Sequence, residues 1–94
     1  MEKAKIIKAS GEVIEVTPKN GTDFSLKEMQ DVVGGLIETI GTPDGKKIMV
    51  LNEEGKLDGL PLNLTATKIA WKKFKLVDDW IAGDVLLCPA EMVK

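Results

Sequence analysis

Between Ser25 and Gly35 the chain reads SLKEMQDVVGG, and this stretch fixes both ends of a helix before anything else about the fold is known. Ser25 is followed three residues on by Glu28, so the hydroxyl can accept from the Glu28 N–H while the carboxylate reaches back to the Ser25 N–H. Phe24 and Met29 stand where a hydrophobic staple closes over such a capping box. Leu26, Met29, Val32 and Val33 recur at helical spacing, and Gly34 follows the last of them, where a left-handed C-cap favours a residue without Cβ. A phosphate cradle would precede a helix rather than follow one, so Gly34-Gly35 reads as a helix end.

Around this helix the apolar residues come in short runs. AKII and VIEV flank Ser10-Gly11 and read as a hairpin, followed by the loop PKNGTD from Pro18 to Asp23. LIETI, Leu36 to Ile40, and KIMVL, Lys47 to Leu51, flank the turn GTPDG and read as a second antiparallel pair. Asn63 can cap a second helix, LTATKIAWKK, with Ala66, Ile69, Ala70 and the stem of Lys73 toward the sheet and Lys68, Lys72 and Lys75 outward. The run VLLC before Pro89 reads as a buried strand in which Cys88 is a small hydrophobe. The expected fold is α+β in the order ββαββαβ: a single domain over residues 1–94, with a twisted antiparallel sheet and both helices on one face.

Absences narrow the chemistry. The chain has no His and no Tyr, and all 13 basic residues are lysine. No Cys-His or Ser-His pair is available, nor an imidazole ligand, and an enzyme is not expected. Without an arginine fork, and with a net charge of -2, sequence-specific nucleic-acid reading is not expected either. One cysteine forms no intrachain disulfide, which agrees with a reducing compartment. No apolar run approaches the roughly 20 residues of a membrane helix, and MEKAKIIKAS lacks a signal-like stretch; a cytoplasmic protein is expected. No cofactor or metal is called for. Asp78, Asp79 and Asp84 lack the alternation of a calcium loop, and Glu53 and Glu54 read as a solvated turn. The lysines of the second helix, with Trp71 and Phe74, read as a solvated face whose aromatics turn inward.

The connection from Asn52 to Asn63, NEEGKLDGLPLN, is long for so small a chain, and long ordered connections often carry function. The segments GEVIEVTPKNG, DFSL and VGG, then PDGK, IMVLNEEGKL, GLPLN and GDVLLC, resemble a family of short proteins encoded by bacteriophages, conjugative elements and gut bacteria and described as a domain of unknown function. The resemblance spans the chain and is most specific over Val33 to Glu38 and Asn52 to Thr67. Similar modules occur in the large polyvalent proteins of mobile elements, which implies a role in counter-defence or element upkeep. Backbone geometry accounts for Gly34 and Gly35, and helix initiation for Pro61 and Asn63. Asn52, Glu53, Gly55, Leu57 and Leu60 then stand out as a candidate binding surface, joined by Asn63 and Lys68 if a concave pocket forms beside the second helix. The expected function is a non-enzymatic binding module engaging a host protein or a small anionic, nucleotide-like ligand. The alternative is a structural accessory domain forming homo-oligomers through an open sheet edge.

Overall fold

Ser25 and Glu28 form the capping box: the Ser25 hydroxyl accepts from the Glu28 N–H at 3.1 Å, and Glu28 Oε1 accepts from the Ser25 N–H at 2.9 Å. Helix α1 then runs Leu26–Val33, and Gly34 ends it in the left-handed region at φ 81°, donating its N–H to the Gln30 carbonyl at 2.7 Å. Phe24 and Met29, the staple pair, are both buried. The computed structural model describes residues 3–42, 45–74 (side chains as far as 70) and 80–93.

The remaining elements follow the expected order. Strands β1 (Ala4–Ile7) and β2 (Val13–Val16) precede α1; β3 (Ile37–Gly41), β4 (Lys47–Asn52), helix α2 (Leu64–Phe74) and β5 (Val85–Pro89) follow it. All neighbouring strands are antiparallel, and the sheet order is β2-β1-β5-β4-β3. The chain's last strand is therefore the middle of the sheet.

One expectation fails: the helices do not share a face. Successive strand residues point to opposite sides of a sheet. Val50, Leu86 and Cys88 pack with Met29 and Val33 of α1, whereas Met49 and Val85 pack with Ala66 and Ala70 of α2. Each helix covers its own side. The physical reason lies in β5, whose Val85, Leu86 and Cys88 are all buried: a strand apolar on both faces needs a cover on each.

Glu28 also gives a pH test. Its carboxyl is held below its ordinary value of 4.5, first by the hydrogen bond from the Ser25 N–H and then by that from the Lys19 N–H. A depressed folded-state pKa adds stability that is complete above the unfolded value and is lost as pH falls through the folded one. Glu28→Gln, which keeps an oxygen for the cap but does not titrate, should show a shallower loss of Tm than the parent when melts are taken downward from about pH 5. Parallel acid slopes would remove this role from Glu28.

Candidate functional site

The segment from Glu53 to Leu62 is wound back onto the residues that lead into β5. Within it the Asp58 N–H donates to the Glu54 carbonyl at 2.8 Å and the Leu60 N–H to the Gly55 carbonyl at 3.0 Å. Gly83 N–H then donates to the Pro61 carbonyl at 2.7 Å, and Leu62 forms an antiparallel bridge with Ala82. Gly55 is what allows the approach: a Cβ there would stand 2.8 Å from the Ala82 carbonyl oxygen, closer than side-chain carbons sit. On the other side, a Cβ at Gly83 would stand 2.8 Å from Leu60 Cδ1, so Leu60 lies directly over that glycine.

Two buried asparagines anchor the ends of this segment. Asn52 is the last residue of β4 and faces α1: its Nδ2 donates to the Val33 carbonyl at 3.1 Å, satisfying one of the open carbonyls at the helix end, and its Oδ1 accepts from the Glu54 N–H at 2.8 Å. The second glycine of the pair belongs to this contact, because a Cβ on Gly35 would meet Asn52 Nδ2 at 3.0 Å. Asn63 is fully buried on the α2 side. Its Oδ1 caps α2 by accepting from the Ala66 N–H at 3.0 Å, and its Nδ2 donates to the carbonyls of Ile7 and Gly83, both at 2.8 Å. Thr67 extends the network, donating its hydroxyl to the Asn63 carbonyl at 2.8 Å and accepting from the Ile81 N–H at 2.9 Å.

A groove of about 400 Å³ opens where this segment meets the β3–β4 side of the sheet. Glu38 and Ile40 of β3 and Leu51 of β4 form its floor; Glu53, Glu54, Lys56 and Leu57 form one wall and Trp80 the other. The strand register explains the floor, since Glu38 pairs with Leu51 and Ile40 with Met49, placing all four on the α2 side. Three carboxylates thus share the groove with one lysine, and the Lys56 ammonium sits 4.5 Å from the centre of the Trp80 ring. Leu57 is 86% exposed and Trp80 45%, a large apolar surface left in solvent at the rim.

The residues singled out in the sequence divide accordingly. Asn52, Gly55, Leu60 and Asn63 hold the segment in place; Asn52 and Gly55 also contribute to the groove lining. Glu53 and Leu57 are exposed in the groove, while exposed Lys68 on α2 is not among its lining residues. Of Asn52, Asn63 and Lys68, this groove is lined by Asn52 alone. The groove also includes Glu38, Lys56 and Trp80, which the sequence does not mark out as site residues, and Glu54, which reads there as part of a solvated turn. Glu38 carried a signal in its alternation with Ile40; nothing local to Trp80 showed that it would meet Lys56. Asp84 accepts from the Ala9 N–H at 2.9 Å, and Asp78 and Asp79 lie outside the described residues, as do the side chains of Trp71, Lys72, Lys73 and Phe74 and all of Lys75. Among the described residues no group of acidic, Cys or His side chains is placed to hold a metal ion, and no helix is long and apolar enough to cross a membrane.

The split predicts different costs for neighbouring residues. Asn52→Ala leaves the Val33 carbonyl and Glu54 N–H without partners and should cost about 2 kcal/mol in urea unfolding. Glu53→Ala should change stability by less than about 0.5 kcal/mol, since its hydrogen bond to Leu36 is made by the backbone. Equal costs would mean that the loop is held in some other way.

No curated protein and no solved structure matches the chain. A family model described as a domain of unknown function, DUF3846, matches residues 4–92, from the first residue of β1 to the end of the turn after β5, and the chain belongs to that family.

Proposed function

We propose that the protein is a non-enzymatic binding module whose groove receives a cationic, partly apolar segment of another protein. The observation that carries this reading is the groove itself: Glu38, Glu53 and Glu54 on a floor of Ile40 and Leu51, with the Trp80 ring as a wall. That ring already takes one cation, Lys56, at 4.5 Å, which shows the kind of side chain this part of the groove suits. The same carboxylates would repel a phosphate, which weighs against a nucleotide-like or other small anionic ligand. A binding role without chemistry agrees with the lack of His and with Cys88, which is buried and whose thiol desolvation pushes up to about 11, leaving little thiolate at neutral pH. The resemblance to phage and mobile-element modules supports a host protein as the partner, met in the cytoplasm, and a counter-defence role for the complex.

Site-specific photo-cross-linking in the host tests this reading. A photoreactive residue in place of Leu57, on the rim, should give a discrete heteromeric adduct that Glu53→Gln/Glu54→Gln diminishes at least fivefold; one in place of Lys68, outside the groove, should not. An adduct of twice the chain's mass would instead favour the homo-oligomeric accessory domain. Adducts from position 68 alone would reject the groove.

A further inference from the structure

Strand β3 forms the groove floor and is also an edge of the sheet, with no described strand on its outer side. In an antiparallel ladder, residues alternate between exchanging backbone hydrogen bonds with the partner strand and turning their N–H and C=O away from it. The Glu53 N–H donates to the Leu36 carbonyl at 2.9 Å and the Thr42 N–H to the Lys47 carbonyl at 3.0 Å, which sets the phase. Within the same register Glu38 and Ile40 bond to β4, so Ile37, Thr39 and Gly41 present their backbone groups outward. No proline and no lysine guards this edge, and Glu38 is its one charged residue.

We propose that the partner enters as a sixth strand, an extended segment with lysine or arginine at alternate positions that pairs with the outer edge of β3. This rests on the groove reading above and specifies its geometry. Strand addition places alternate partner side chains on the Glu38 and Ile40 side, about 5 Å from their neighbours on β3, and so at the mouth of the acidic groove. Main-chain bonds to Ile37, Thr39 and Gly41 supply the pairing, while Glu38, Glu53 and Glu54 select for positive charge. A second copy of this chain fits poorly in that place, because pairing β3 with β3 would set two Glu38 carboxylates and two acidic grooves side by side.

The test uses a capped alternating octapeptide of lysine and valine and its arginine counterpart, titrated into the 15N-labelled protein. Saturable shifts at Glu38, Glu53 and Trp80 are expected, with amide exchange at Thr39 slowed at least tenfold in the complex. Thr39→Pro removes an outward N–H that β4 does not use, and should weaken binding at least tenfold. As a control independent of that variant's folding, peptides N-methylated on the residues that face β3 should bind the parent protein at least tenfold more weakly. If the N-methylated peptides bind as well as the plain ones, strand addition is wrong while the groove stands. If neither plain peptide saturates at millimolar concentration, or if Glu38→Gln/Glu53→Gln/Glu54→Gln binds them as the parent does, the groove reading falls as well.

Discussion

Asn63→Ala should remove about 4 kcal/mol of folding stability, read as a shift of the urea midpoint at unchanged slope. The figure follows from what the truncation strands: the carbonyls of Ile7 and Gly83 lose their donor, the Ala66 N–H loses its acceptor, and each unmade buried bond costs about 1–3 kcal/mol. With no surface exposed at this position, water cannot simply replace the amide. Asn63→Asp separates the two halves of the side chain. It keeps an oxygen for Ala66 but turns a second one toward two carbonyl oxygens, so it should be at least as damaging as alanine at neutral pH. A loss below about 1 kcal/mol for Asn63→Ala would mean that the residue caps α2 and does nothing more.

Gly55→Ala should cost about 2–3 kcal/mol, although it adds only a single methyl group at this buried position. The added carbon would lie 2.8 Å from the Ala82 carbonyl oxygen, and both partners are backbone, so neither can move aside by changing a rotamer. One or both segments must shift, and the groove wall shifts with them. Leu57→Ala, two positions away and 86% exposed, should stay within about 0.5 kcal/mol in the same assay. If both variants melt like the parent, the 53–62 segment is less tightly seated than the Gly55 contact requires.

These two residues also show how far the sequence could be read. Helix α1 was legible because its signals are local: a hydroxyl, a carboxylate and a glycine within one short segment dictate its ends. The α2 cap was legible for the same reason, but only the Oδ1 half of it. That Asn63 Nδ2 would find Ile7, far away in sequence, depends on β1 lying beside β5. The division of the helices between two faces was written in the unbroken VLLC run, yet no local rule assigns a particular helix to a particular side. Gly35 shows the same limit: the first glycine of the pair is explained by its own backbone, the second only by the asparagine that closes on it. The groove needed the register of Glu38 with Leu51 and the meeting of two loops, none of which neighbouring residues encode.

The place of β5 in the sheet sets an order on folding during synthesis. The β1–β2 and β3–β4 hairpins leave the ribosome first, but the ladder that joins them, β1 to β5 and β5 to β4, does not exist until Pro89 has emerged. Until then each hairpin lacks its central neighbour, and an isolated hairpin is marginal at best in water. The β1–β5 ladder joins residues as far apart in sequence as Lys5 and Leu87, and pairings of such long separation form slowly. Hairpins made before β5 are thus open to mispairing along the edges that β5 will cover until that strand arrives.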